Sequence, residues 1–135
     1  YLNLTHNFFG NEGMLALAKS QNLSTLKKLA LGYCGIGNEG VIALADANMP
    51  QLEDLYLGSN NSLGDAGAIA LSHSRNFPRL QRLGLEYCML TDLGALSLAR
   101  SDSLPPTVVF EFDGMSFSSS TVSELRRLLG DRCDL

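Results

Sequence analysis

Three cysteines, two histidines and a few clustered carboxylates are the residues of this chain that could do covalent or metal chemistry. Cys34, Cys88 or Cys133 could act as a nucleophile if His6 or His73 stood within hydrogen-bond reach as a base. Glu86, Glu111 and Asp113 could hold a metal ion or work as an acid and base. Gly35-Ile36-Gly37-Asn38-Glu39-Gly40 spells the glycine pattern of a dinucleotide-binding loop, with Glu53 and Asp54 downstream. Whether any of these can act depends on the elements that hold them.

Those elements repeat. Leu52-Glu53-Asp54-Leu55-Tyr56-Leu57-Gly58-Ser59-Asn60 has counterparts in residues 26–34 and 80–88, and degenerate copies in residues 1–7 and 107–115. The equivalent positions Leu2, Leu29, Leu55, Leu83 and Phe110 fall 27, 26, 28 and 27 residues apart. A fixed period of this size is the mark of a solenoid. Each unit opens on a stretch such as Leu29-Ala30-Leu31, whose period of two predicts a strand with its leucines on one side.

The second half of each unit begins at Gly13, Gly40, Gly67 or Gly94 and runs into an alanine- and leucine-rich segment such as Val41-Ile42-Ala43-Leu44-Ala45. These segments predict short helices, and Asn38, Asp65 and Asp92 suit their N-caps and first turns. Leu23, Met49, Phe77 and Leu104 recur ahead of the next strand, where Pro50, Pro78 and Pro105 stop the helix and turn the chain back. The period divides one domain into units at about 1–22, 23–48, 49–76, 77–103 and 104–135. In the last of these Thr121 replaces the glycine, and a helix from Val122 to Leu129 carries Glu124, Arg126 and Arg127, which suits a C-terminal cap. The chain opens inside a strand, so the expectation is a piece of a longer protein whose uncapped first strand could pair with another copy.

Leu52-x-x-Leu55-x-Leu57-x-x-Asn60, with Leu63, Gly67 and Leu71 behind it, resembles a leucine-rich repeat, and the helical half with a period near 27 resembles the ribonuclease-inhibitor-like subclass. The resemblance covers essentially the whole chain. It implies a curved α/β solenoid of about five repeats, with parallel strands on the concave face and helices on the convex face. It also implies a ladder of inward side chains bonded to the loop backbone of neighbouring turns: Asn7 and Asn60 match the family's asparagine, Cys34 and Cys88 are accepted substitutes, and Met115 departs from the pattern.

The repeat settles most of the chemistry. Cys34 and Cys88 sit two units apart, so a stacking distance of about 4.8 Å per strand rules out a disulfide between them. Both point into the core, away from His6 on the strand face and His73 at a helix end, so neither meets a base. The glycines of the nucleotide-like loop recur as repeat positions, and the fingerprint belongs to a doubly wound sheet that this period does not build. The acidic residues read as a surface patch rather than a metal or acid–base site. No enzyme activity and no cofactor are expected.

Composition narrows the partners. At 135 residues, 45% hydrophobic and 18% charged, the chain suits one globular domain. A net charge of −4 with scattered Lys and Arg offers no track for nucleic acid, and no apolar run approaches a membrane span. An odd cysteine count without a signal layout predicts a cytoplasmic location. The formal glycosylation triplets at Asn3, Asn22 and Asn60 do not overturn this, because Asn60 is expected to point inward.

The family implies function at the variable positions between the strand leucines. All four tyrosines of the chain fall in that set, beside the small residues Ala30, Gly32, Gly58 and Gly84. Tyrosine and arginine carry much interface energy because they bury large areas at low entropic cost. The expected partner-binding residues are Tyr33, Tyr56, Tyr87, Lys28, Asp54, Arg82, Glu86, Glu111 and Asp113. The acidic end of this face suits a protein partner with a basic patch. The reading is a protein–protein interaction module; the alternatives are a regulator of a small GTPase like those acting on Ran, working through Asn61 and Arg82, or a ribonuclease-inhibitor-like enzyme inhibitor.

Overall fold

A computed structural model describes residues 1–135. The repeated phrase forms β1 (Leu2–Asn3), β2 (Lys28–Ala30), β3 (Asp54–Tyr56), β4 (Arg82–Gly84) and β5 (Val109–Glu111). They lie side by side in chain order, every pair parallel, in one sheet that ends with β6 (Cys133–Asp134). The register pairs Leu2 with Leu29, Leu29 with Leu55, Leu55 with Leu83 and Leu83 with Phe110. The positions equated by sequence period are therefore those that backbone hydrogen bonds align. Phe110 goes on to pair with Cys133, a sixth strand that the sequence reading lacks.

Each strand is followed by a helix: α1 (Gly10–Ala18), α2 (Asn38–Ala45), α3 (Asp65–His73), α4 (Asp92–Ala99) and α5 (Ser119–Leu129). Strands stack about 4.8 Å apart and helices need about 8–10 Å, so the two layers match only if the stack bends with the strands inside. Between them Leu29, Leu31, Leu55, Leu57, Leu83, Leu85, Phe110 and Phe112 form a continuous core with the recurring Leu23, Met49, Phe77 and Leu104.

Two details of the helices differ from expectation. α5 starts at Ser119, not Val122, because Ser118 supplies an N-cap whose Oγ accepts the Thr121 amide at 3.3 Å. Asn38, Asp65 and Asp92 are first-turn residues as expected, but they cap the neighbouring helix rather than their own. Asn11 Oδ1 accepts from the amides of Gly37 (2.7 Å) and Gly40 (3.0 Å) at the start of α2. Asn38 does the same for Gly64 and Gly67 at the start of α3, both at 2.9 Å. Asp65 does it for Thr91 (2.8 Å) and Gly94 (3.0 Å), and Asp92 for Ser118 (3.0 Å). Each unit thus satisfies the orphan amides of the next, and glycine can stand at the N-cap of α2 and α3 without leaving those amides bare.

A second ladder runs through the turns after the strands. Asn60, fully buried, accepts from the amides of Cys34 (3.1 Å) and Ile36 (3.0 Å) and donates to the carbonyls of Leu31 (2.9 Å) and Leu57 (2.7 Å). The thiols of Cys34 and Cys88 donate to Leu4 and Leu57 carbonyls at 3.0 and 3.5 Å, and Asn7 donates to Leu4 at 2.9 Å. A third set tethers helix ends: Ser74 Oγ donates to the Ala45 carbonyl at 2.6 Å and Ser101 Oγ to that of Ser72 at 2.5 Å. Backbone groups that a helix terminus would leave open are closed by side chains of the adjacent unit.

Candidate functional site

The strand face carries three columns of side chains, each running across the sheet from one unit to the next. The first contains Lys28, Asp54, Arg82 and Val109 in register. Asp54 accepts from Lys28 Nζ at 2.7 Å and from Arg82 Nε at 2.8 Å. Its own side chain is only 4% exposed while those of the two cations are 46% and 47% exposed, so Asp54 lies beneath them. Burial alone would raise its carboxyl pKa, but the hydrogen bonds and charges of Arg82 and Lys28 outweigh it and hold the group below the ordinary range. Of the acidic residues expected to face a partner, Asp54 is the one that the fold covers and already pairs. It presents two cations rather than an anion.

The second column holds Ala30, Tyr56, Gly84 and Glu111. Gly84 is the low point: a methyl group there would lie 2.9 Å from Glu86 Oε2, 3.0 Å from Glu111 Oε2 and 3.0 Å from Tyr56 Cδ1. Two carboxylates and one aromatic ring thus converge over a single glycine. Burial first, and then the neighbouring negative charge of Glu86, raise the pKa of Glu111. Neither Glu86 nor Glu111 has a cation within ion-pair distance; the acids that do are Glu53, Asp54 and Glu124. Asp113, further along, is exposed.

The third column follows the strands at the turn, where His6, Tyr33, Ser59, Tyr87 and Gly114 all have positive φ, from 54° to 74°. This left-handed conformation suits glycine, and a residue with a Cβ pays steric energy there, on the order of 1 kcal/mol. Two tyrosines hold it nonetheless. Tyr33 stacks on His6 with centroids 4.4 Å apart and planes 12° from parallel. Tyr87 leans the other way, its ring covering the spot where Gly114 would carry a side chain. Tyr33 and Tyr87 stay 52% and 60% exposed.

The rings diverge, so a shallow depression of about 500 Å³ opens between them. Gly32, Gly58 and Ala30 contribute small residues, Tyr33, Tyr56 and Tyr87 the aromatic ones, and Glu86 a carboxylate. Of the nine residues expected to meet a partner, the structure gathers Tyr33, Tyr56, Tyr87 and Glu86 around this depression, with Glu111 adjoining it over Gly84. Lys28, Asp54 and Arg82 form their own cluster beside it. Thr5 and Ser59, variable positions of the same face that were not among the nine, also line the hollow.

The loop that resembled a dinucleotide fingerprint is also accounted for. The amides of Gly37 and Gly40, which would have to cradle a phosphate, already donate to Asn11. On the helix side a groove of about 520 Å³ runs past Arg75, Arg100 and four serines, but Arg100 bonds Glu124 at 3.2 Å and Ser101 bonds the Ser72 carbonyl.

Parallel strands in chain order, a helix after each of the first five and inward ladders between turns define an α/β solenoid with one open, aromatic-lined strand face. A family model described as Leucine Rich repeat matches residues 1–18, 22–45 and 48–72. The chain belongs to the leucine-rich repeat family, and the same geometry continues through β4 and β5 beyond the matched residues. A search of curated proteins finds no match to the chain. Domains of this family generally mediate protein–protein interaction and are typically not enzymes. No helix of the structure is long and apolar enough to cross a membrane.

Proposed function

We propose that this domain binds a protein partner on its strand face, through the depression framed by Tyr33, Tyr56 and Tyr87. The observation that carries this reading is the exposure of Tyr33 and Tyr87 beside a depression floored by Gly32 and Gly58. The left-handed turn recurs at His6 and Ser59, so the fold asks for the conformation but not for an aromatic ring in it, and exposed rings there serve contact rather than core packing. The rings offer large area with few rotatable bonds, next to a floor of glycines that lets a partner approach the backbone. Regulation of a GTPase through Arg82 fits less well, since its Nε is committed to Asp54.

The test is capture of partners from a cell extract on the immobilised domain, beside a Tyr33→Ala, Tyr56→Ala, Tyr87→Ala variant shown to be folded by circular dichroism. A protein held by the first and lost by the second supports the reading. Equal capture by both, or none by either, overturns it.

A further inference from the structure

We infer that the depression is a receptor for one arginine side chain of the partner, whose guanidinium lies against the ring of Tyr56 over Gly84 and pairs with Glu86 and Glu111. The inference rests on the proposed function and names the chemistry of its occupant. Three observations lead to it.

The first is spacing. Tyr33 and Tyr87 belong to β2 and β4 units with one unit between them, so their backbones stand about 10 Å apart. Ser59 occupies the intervening position, and the rings lean outward onto His6 and Gly114. The hollow is thus open from above, and on its floor Tyr56 Cδ1, Glu86 Oε2 and Glu111 Oε2 all lie within 3.0 Å of where a Gly84 side chain would begin. The Tyr56 ring offers a face to a flat guanidinium, which stacks on aromatic rings better than a compact ammonium does.

The second is charge. Glu86 and Glu111 converge over Gly84 with no cation within ion-pair distance; Arg82, whose charge is felt at Glu111, and Lys28 both pair with Asp54. Two carboxylates on neighbouring units match the forked donors of one arginine.

The third is the floor. A methyl group on Gly58 would lie 2.7 Å from Glu86 Oε2, so the carboxylate rests on a bare backbone rather than reaching into solvent. It is held where a side chain entering the depression would meet it.

The test uses N-acetyl-arginine amide as the probe and its neutral isostere N-acetyl-citrulline amide as the comparator, each titrated into the isotope-labelled domain. Amide shifts are followed by nuclear magnetic resonance. The arginine probe is expected to give saturable shifts at Gly58, Gly84 and Ser59 in the millimolar range, with citrulline at least about tenfold weaker. Glu86→Gln should weaken the arginine probe by a similar factor. Gly32→Ala, whose added methyl meets Gly58 O at 3.3 Å, narrows the hollow while keeping both carboxylates and should also weaken it.

Equal shifts from the two probes, or no saturable shifts at these residues, would overturn the inference. Its failure is separable from that of the binding face. A captured protein that survives Glu86→Gln with Glu111→Gln but is lost on removing the tyrosines leaves the face intact as a docking site and rejects the arginine pocket.

Discussion

Asp65 Oδ1 accepts the Gly94 amide at 3.0 Å and lies 2.5 Å from where a Gly94 Cβ would be. One atom thus both closes the start of α4 and forbids a side chain there. Alanine is favoured over glycine in a helix by roughly 1 kcal/mol, yet Gly94→Ala is expected to destabilise because the cap oxygen, Leu90 and Ala68 crowd the site. Asp65→Ala should cost about 1–2 kcal/mol through loss of the cap. In the double variant the clash with the oxygen is gone, so Gly94→Ala should be less harmful than in the wild type. Urea denaturation of the four proteins gives the coupling; strict additivity would mean the two residues act apart.

The inward ladder yields a larger effect. Asn60→Ala leaves the amides of Cys34 and Ile36 and the carbonyl of Leu31 without their side-chain partner in a buried turn. A loss of about 3 kcal/mol or more is expected. Asn60→Asp keeps an acceptor for the two amides but sets a carboxylate against two carbonyls. Its deficit should therefore shrink on acidification, when the protonated acid can donate. Melting temperatures of both variants across pH distinguish the outcomes.

The strand register and the leucine core were legible in the sequence because a period of two nested in a period near 27 admits one alignment. Inward Asn60 was implied by the resemblance to a leucine-rich repeat, not by the period. The helix caps were not: an Asn or Asp in the first turn suits its own helix as well as the next, and only the stack shows Asn38 reaching Gly64. Cys133–Asp134 is too short to display alternation, so β6 escaped notice. For the site, the tyrosines and glycines could be placed on one face, but the opposite lean of Tyr33 and Tyr87 depends on His6 and Gly114, and the burial of Asp54 on two cations closing over it.

The Lys28–Asp54–Arg82 cluster should show a directional pH dependence. The folded pKa of Asp54 is depressed, so its contribution to stability is present above the unfolded value of about 3.9 and is lost as pH falls through the lower folded value. The stability gap between wild type and Asp54→Asn should close over that acid window. Lys28→Met or Arg82→Met alone should cost under about 1 kcal/mol, since each cation is half exposed and the other remains. Removing both strands a buried carboxylate and should cost more than the sum of the single losses. Chemical denaturation from neutral to acid pH measures all four.

The thiols should divide by access. Burial pushes Cys88 up to about 11 from an ordinary 9.0 and also raises Cys34, so neither supplies thiolate near neutrality. Partial burial raises Cys133 as well, so access alone sets it apart: it is half-buried where the other two are buried. Native alkylation read by mass spectrometry should label Cys133 alone, with Cys34 and Cys88 reacting at the rate of unfolding. The raised pKa of Cys88 means its stabilisation holds below about 9 and fades as pH climbs towards 11. Prompt labelling of all three thiols would contradict the burial.

Tyr87 offers the sharpest separation of folding from binding. At φ 55° it sits where glycine is easier, so Tyr87→Gly relieves backbone strain while adding entropy to the unfolded chain. The two effects are of similar size and opposite sign. Stability should stay within about 1 kcal/mol of wild type, whereas loss of an exposed aromatic anchor from an interface typically costs 2 kcal/mol or more in binding. Thermal melting and partner affinity of the same variant decide the matter. If binding survives and stability drops, Tyr87 serves the fold by covering Gly114, and the anchor of the face must be sought at Tyr33 and Tyr56.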